Sequence, residues 1–313
     1  MGTATERTTP PRPDGAWHEA MPYSSAAHLV ERLAPRIAAA VSAGDPVVAV
    51  LDEPTCAGLR RALGSDSAEV DFQDPFEVHR MPAFTVAVRW ARTSRRITNP
   101  GGRALVVSQQ MEVDRGPLHW ARLDIGVNVA TAGLPITVLC PVDHDVADLP
   151  TVEATHPLVA TANGPEPSKR YRQPEESVVD YPPPPPPGLG PPVAELPFGQ
   201  DDLIDLRHLV LRIAVMAGLD ADRGADLVLA VNELASNSVE HGAGRGRLRM
   251  WDGPDVVAEV ADHGRMSVPF PGMTIPPPDG ARGRGLWLAS ELADTLEVWS
   301  EPGNTVIRVQ MRV

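Results

Sequence analysis

A carboxylate and an amide lie one helical turn apart in the C-terminal part of this 313-residue sequence. Glu233 and Asn237 fall four residues apart in the predicted helix 222–241, so both side chains project from one face of it. The carboxylate could act as a general base or orient a water molecule. The amide oxygen is a suitable ligand for Mg²⁺, which prefers oxygen donors and retains several waters. An ordinary surface helix with a polar stripe explains the same residues, so both interpretations stay open.

An aspartate and a glycine follow the next predicted strands, 247–251 and 256–261. Asp262 comes directly after the second strand, and Gly264 lies two residues further on. The glycine would let the backbone approach a planar ring closely, and the carboxylate could accept a hydrogen bond from an exocyclic amine. An ordinary Asp-x-Gly turn remains the alternative.

Closely spaced glycines and arginines precede the predicted helix 284–293. Backbone N–H groups at a helix N-terminus, together with the helix dipole, form a ready anion site. The candidate anion ligands are Arg282, Gly283, Arg284 and Gly285. The Lys-Ser/Thr pair of a Walker P-loop is missing, and a flexible hinge would explain the glycines equally well.

Taken in order, these features resemble the GHKL ATPases, in their branch of anti-sigma-factor serine/threonine kinases. The resemblance covers residues 198–313 and includes a Gly-x-Thr on the last predicted strand. It implies an α+β domain of the Bergerat type, a mixed sheet with helices on one face, that binds ATP and Mg²⁺. The roles it implies are Glu233 as base, Asn237 as Mg²⁺ ligand, Asp262 with Gly264 and Thr305 at the adenine, and Gly283 with Gly285 at the phosphates.

Two departures from the family pattern bear on turnover. Met266 stands where the family has a second glycine, and the lid, residues 265–282, is rich in proline. A stiff lid would close poorly, which affects ATP turnover more than ATP binding. The alternative function is therefore a nucleotide-gated or nucleotide-free protein-binding switch without phosphotransfer.

The N-terminal part alternates predicted helices and strands, which favours an α/β domain. The helices are 28–43, which Pro35 should start or kink, and 55–63; the strands are 46–51, 69–72 and 135–140. Its motifs resemble a MEDS (DcmR-like) sensory domain, a degenerate RecA-like fold that would receive an unknown small ligand or signal. The matching segments are 18–23, 43–50, 59–64, 77–83, 124–128, 139–143, 155–157 and 168–171. The resemblance makes His18 and Tyr23 sensory candidates, although a structural role fits them as well.

Four segments follow from these patterns. They are a disordered tail (1–14), a sensory domain (15–172), a proline-rich linker with six consecutive prolines (173–197) and an ATPase domain (198–313). A formal charge of −13 argues against direct nucleic-acid binding. Two cysteines do not make a disulfide framework or a zinc site, so Cys56 and Cys140 are predicted to be small buried hydrophobic residues.

The overall expectation is a signal-responsive regulator. With no signal peptide and no apolar run long enough to cross a bilayer, a cytoplasmic protein without membrane contact is expected. The kinase resemblance implies a sigma factor, an anti-anti-sigma protein of the STAS type, or both as partners. It also implies a homodimer, the usual assembly of such kinases.

Overall fold

The computed structural model describes residues 15–97, 101–112, 115, 118–145, 147–276 and 284–313. The predicted tail, 1–14, and two predicted anion ligands, Arg282 and Gly283, lie outside the described residues. Within the described ranges, no helix combines the length and the apolar character needed to span a membrane.

The N-terminal domain is built on a seven-stranded sheet with the strand order β3-β2-β4-β5-β1-β6-β7. The first six strands pair in parallel, and β7 is antiparallel to β6. The strands are β1 (Trp17–Tyr23), β2 (Val47–Val50), β3 (Val70–Gln73), β4 (Ala104–Ser108), β5 (Ile136–Asp143), β6 (Leu158–Thr161) and β7 (Gly164–Pro167). The helices are α1 (Ala26–Ser42), α2 (Glu53–Leu63), α3 (Pro75–His79), α4 (Ala83–Arg95), α5 (His119–Ala130), α6 (Leu149–Thr155) and α7 (Pro174–Ser177).

Helices cover both faces of this sheet, which explains its continuously apolar strands. On one face, α1 and α2 contribute Leu29 and Leu59 to a core with the β2 residue Ala49. On the other face, α4 and α5 contribute Val86 and Ile125 to a second core. The domain is therefore an α/β sandwich, as the alternating pattern predicts.

Helix α1 differs from its prediction at its start. The Ser25 side chain accepts a hydrogen bond from the His28 N–H at 3.2 Å and caps the helix, which begins at Ala26. Pro35 lies inside the helix and does not begin it. Leu29, Leu33 and Ile37 are fully buried, so core packing holds the helix together across the proline.

The C-terminal domain has a five-stranded sheet in the order β11-β12-β10-β9-β8. Its strands are β8 (Ala194–Gly199), β9 (Arg245–Trp251), β10 (Asp255–Asp262), β11 (Thr295–Glu301) and β12 (Asn304–Arg312). Three helices, α8 (Leu203–Ala217), α9 (Ala221–His241) and α10 (Arg284–Leu292), pack on one face around Leu248, Val260 and Ile307. Helices on one face agree with the expected α+β domain. Every pairing in the sheet is antiparallel, whereas the resemblance implies a mixed sheet.

The proline-rich segment lies against the other face of this sheet. The Arg308 guanidinium donates to the Pro187 carbonyl at 2.9 Å, and the Trp251 indole donates to the Gly190 carbonyl at 3.1 Å. Strand β8 begins at Ala194, within the predicted linker. The end of the linker is thus part of the ATPase sheet, and its middle is held by hydrogen bonds.

Helix α4 of the N-terminal domain covers the outer edge of β11. The Thr85 hydroxyl accepts from the Leu296 N–H at 3.1 Å and donates to the Leu296 carbonyl at 3.0 Å. Arg92 and Arg95 both pair with Glu291 at 3.3 Å. An uncovered edge strand leaves backbone groups unpaired, and the threonine satisfies two of them.

We expect Thr85→Val to open this interface locally. Valine keeps the shape but leaves the buried N–H and carbonyl of Leu296 without partners, a cost of about 1–3 kcal/mol. The Leu296 amide should then exchange with solvent faster by one or more orders of magnitude. Thr93→Val on the same helix is the control, because the Thr93 hydroxyl donates to the Arg89 carbonyl of its own helix at 3.3 Å. Equal exchange in both variants would contradict the assignment.

Candidate functional site

Helix α9 places the predicted acid and amide beside the start of α10. Asp220 caps the helix by accepting from the Arg223 N–H at 2.8 Å. The apolar side of the helix, including Leu227 and Leu234, packs into the core of the domain. Glu233 and Asn237 lie on the flank and are half-buried, as their spacing predicts.

Gly285 is the point at which α10 meets this flank. A Cβ atom at Gly285 would lie 2.9 Å from the Glu233 Oε2 atom and 3.0 Å from the Asn237 Nδ2 atom. These distances are shorter than ordinary van der Waals contacts, so a residue with a Cβ atom here would have to displace the ends of the Glu233 and Asn237 side chains. The described start of α10 therefore lies directly against the acid and the amide.

Asp262 forms a second group at the end of β10. Its carboxylate accepts from the Ser238 hydroxyl at 2.7 Å and from the Gly264 N–H at 2.7 Å. Gly242 packs so tightly here that a Cβ would lie 2.5 Å from the Asp262 Cγ atom. A carboxylate has about four acceptor positions, so Asp262 retains capacity for a further donor.

Thr305 lies next to this group, because it pairs with Asp262 across β10 and β12. Its hydroxyl lies 2.7 Å from the Ser300 hydroxyl and donates to the Gly264 carbonyl at 3.3 Å. Ser300 also accepts from the Met266 N–H at 2.9 Å. These bonds fix the direction in which the chain leaves β10.

The part of the predicted lid that the structure describes, residues 265–276, runs from this point to the N-terminal domain. Phe270 and Met273 are 9% and 1% exposed, and both belong to the core around α4 and α5. The Phe270 and Phe84 ring centroids are 5.9 Å apart. A Cβ at Gly126 of α5 would lie 3.2 Å from the Met273 Cε atom. The lid is thus anchored on the other domain.

The structure brings most of the predicted C-terminal site residues into two adjoining groups. Gly285 and Arg284 open α10 beside Glu233 and Asn237, and Asp262, Gly264 and Thr305 form the second group. Sequence reasoning missed Ser238, Gly242 and Ser300. One signal was available for Ser238, a polar residue four positions after the apolar Leu234 and therefore on the buried side of α9.

The two sensory candidates do not lie together. His18 and Tyr23 are separated by an odd number of positions on β1, so they point to opposite faces of the sheet. The Tyr23 hydroxyl accepts from Gln109 at 2.7 Å, and Gln109 also donates to Asp52 at 3.1 Å. Burial raises the pKa of Tyr23. His18 belongs to a separate buried cluster with Cys140.

Comparison with known proteins agrees with the C-terminal architecture. Residues 196–311, from β8 to β12, match the family model described as the histidine kinase-like ATPase domain. The chain therefore carries a domain of this type at its C-terminal end. No curated protein matches the chain.

Two solved structures align with parts of the chain. The RsbU and RsbW domains of a Mycobacterium tuberculosis protein are 20% identical, with a TM-score of 0.29, over 39% of this chain and 32% of that one. The Acinetobacter baumannii histidine kinase AdeS is 10% identical, with a TM-score of 0.23, over 38% of this chain and 67% of that one. This chain thus spans about a third of the length of the first.

We expect Gly242→Ala to disturb the Asp262 group. The added methyl would lie 2.5 Å from the Asp262 Cγ atom and 2.6 Å from the Ser238 carbonyl oxygen, so backbone and side chain must both shift. Overpacking of this kind costs about 1–3 kcal/mol, and we expect a lower midpoint in chemical denaturation. Gly253→Ala is the control, because its methyl would approach only the Asp255 carbonyl oxygen, at 3.9 Å. Equal midpoints for the two variants would show that the contact is not tight.

Proposed function

We propose that the C-terminal domain binds ATP·Mg²⁺ and acts as an anti-sigma factor and serine/threonine kinase on an anti-anti-sigma partner of the STAS type. In this proposal the N-terminal domain is a MEDS-like sensory domain on a degenerate RecA-like fold, and it controls the ATPase domain. The family match of residues 196–311 supports nucleotide binding. The partner, the direction of control and a homodimer come from the resemblance set out above.

The observation that carries this proposal is the contact of Gly285 with Glu233 and Asn237. It joins the N-terminus of α10, which suits phosphate, to a carboxylate and an amide, which suit Mg²⁺. The absence of a side chain at Gly285 keeps the helix start close enough for one ligand to touch both elements. The residues present therefore fit a nucleotide with its metal.

Each group of residues would have a distinct task. Asn237 would hold Mg²⁺, and the amides at Gly283 and Gly285 would hold the phosphates. Asp262, already oriented by Ser238, would accept a hydrogen bond from the adenine amine, with Thr305 beside it. ATP·Mg²⁺ supplies the phosphoryl group and the counter-charge that its transfer needs. Glu233 would accept the proton of the attacking serine or threonine hydroxyl.

The anchored lid supports control by the N-terminal domain. Closure of the lid over a nucleotide would require Phe270 and Met273 to leave the core of the other domain or to move with it. A cavity of about 640 Å³ lies at the same interface, between α4, α5 and the lid, and Arg122 and Met266 are among its lining residues. A small ligand bound there would contact both domains. Neither His18 nor Tyr23 lines this cavity.

The second candidate function is a nucleotide-gated or nucleotide-free protein-binding switch without phosphotransfer. The docking of Phe270 and Met273 favours it, because a lid held on another domain at these two residues is less free to enclose a phosphoryl group. The side chain of Met266 packs against the core of the ATPase domain, where the family pattern has a glycine. The kinase and the nucleotide-gated switch share a nucleotide site and differ in the chemistry that follows binding, whereas the nucleotide-free switch does not use the site.

We expect Asn237→Ala to weaken binding of ATP in the presence of Mg²⁺ about tenfold or more, which corresponds to about 1.4 kcal/mol. Calorimetry on the full chain, with and without Mg²⁺, measures the effect. Asn232→Ala is the matched control on the same helix, because Asn232 accepts a hydrogen bond from Arg207 at 3.0 Å, within the pair α8 and α9. Mg²⁺-dependent affinity that is unchanged in Asn237→Ala would contradict the assignment of the metal ligand.

We expect Glu233→Gln to retain ATP binding and to lose phosphotransfer by about 10²–10⁴-fold, because the amide cannot accept a proton. The readout is transfer of labelled phosphate to a STAS-type anti-anti-sigma protein. If the wild-type chain transfers phosphate and the Glu233→Gln variant transfers it equally well, Glu233 is not the base. Binding without transfer in either protein would favour the switch over the kinase.

A further inference from the structure

Four buried side chains from different parts of the N-terminal domain meet at one point. They are His18 of β1, Asp124 of α5, Cys140 of β5 and His156, which directly follows α6. Their exposed fractions are between 0% and 3%. One potential ligand atom from each residue lies within 4.8 Å of the other three.

The separations between these atoms are close to those of a tetrahedral metal site. Zinc lies about 2.0–2.3 Å from nitrogen, oxygen and sulfur ligands, so the edges of a regular tetrahedron around it measure about 3.3–3.8 Å. The His18 Nε2 atom is 3.3 Å from the Cys140 Sγ atom and 4.0 Å from the Asp124 Oδ1 atom. The His156 Nε2 atom is 3.5 Å from the same carboxylate oxygen. Small side-chain shifts would bring all four to a single ion.

Both imidazoles are oriented by their second nitrogen. The His18 Nδ1 atom is 2.8 Å from the Asn128 Oδ1 atom, and the Asn128 amide nitrogen is committed to the Thr155 carbonyl at 2.8 Å. The His156 Nδ1 atom is 2.9 Å from the Val152 carbonyl. Because these oxygens only accept, each Nδ1 carries the proton and each Nε2 presents a lone pair to the cluster. Metal-bound histidines are typically held in this way.

Hydrogen bonds orient the Asp124 carboxylate as well, but none reaches the His156 Nε2 atom from the described residues. Asp124 accepts from the Gln110 amide at 3.0 Å and from the Thr155 hydroxyl at 3.2 Å. Among the described residues, the buried His156 Nε2 atom has no hydrogen-bond partner. A buried acceptor that faces another acceptor is unfavourable, and a cation between them would relieve this.

The charges of the cluster also suit a divalent ion. A thiolate and a carboxylate supply two negative charges and the imidazoles supply none, so a dication would make the buried site neutral. All four side chains are buried, and burial opposes charge at each of them unless a counter-charge is bound.

We propose that His18, Asp124, Cys140 and His156 bind one Zn²⁺ ion in a closed, four-coordinate site. The single oxygen ligand argues against Ca²⁺ and Mg²⁺, which require several, and the sulfur and imidazole ligands favour zinc. The prediction that the sequence holds no zinc site rests on the two cysteines alone. It does not take into account the two histidines and the aspartate that the fold brings to Cys140. This inference does not depend on the proposed function of the C-terminal domain.

The test uses the full chain, purified without a metal-affinity tag. We expect about one zinc per chain by elemental analysis, and one equivalent of Co²⁺ bound after removal of zinc. The cobalt form should show the thiolate-to-cobalt charge-transfer band and the visible bands of a tetrahedral ion. Cys140→Ser should lose the charge-transfer band, whereas Cys56→Ser should keep it, because the Cys56 thiol bonds to the Leu51 carbonyl away from the cluster.

A second variant keeps the proposal testable if Cys140→Ser does not fold. Asn128→Ala leaves all four ligands in place and removes the partner that orients His18, together with a bond to the Thr155 carbonyl, so it should keep the charge-transfer band while Co²⁺ affinity falls about 10–100-fold. Two results would overturn the proposal. One is the absence of stoichiometric metal in the wild-type chain, both as purified and after titration. The other is an undiminished charge-transfer band in folded Cys140→Ser.

Discussion

The close approach of two helices, α9 and α10, organises the C-terminal domain. Glycine at position 285 allows this approach without displacing the ends of the Glu233 and Asn237 side chains, which a Cβ atom there would meet. The approach also requires α9 to keep its apolar side in the core, so that the acid and the amide remain on the flank. The Asp262 group then lies at the end of the neighbouring strand, where Ser238 of the same helix reaches it at 2.7 Å. One helix thus connects both halves of the proposed nucleotide site.

The same site is tied to the N-terminal domain through the lid. Phe270 and Met273 belong to the core around α4 and α5, and Thr85 of α4 satisfies the edge of β11. Helix α5 carries both Gly126, against which Met273 packs, and Asp124 of the proposed zinc cluster. Contacts of this kind connect the N-terminal domain directly to the described part of the lid.

Much of the C-terminal domain could be predicted because its signals are local. The helix α9 and the strand β10 show regular apolar patterns, and their site residues follow at fixed spacing. Strand β1 was not predictable in this way, because Glu19 is buried there and paired with Arg36 at 2.7 Å, a long-range contact that hydropathy does not show. The burial of Phe270 was equally hidden, since it lies in a proline-rich loop without periodicity. Once β1 is known, the alternation of side chains along a strand places His18 and Tyr23 on opposite faces of the sheet.

Amide exchange of the full chain, followed with and without saturating ATP·Mg²⁺, tests the central claim that nucleotide binds between α9 and α10. The account predicts slower exchange in three segments: the last two turns of α9, residues 262–266, and the first turn of α10. These segments are far apart in sequence and adjoin only in the folded domain. Slower exchange confined to the N-terminal domain, or no change at saturation, would contradict the account.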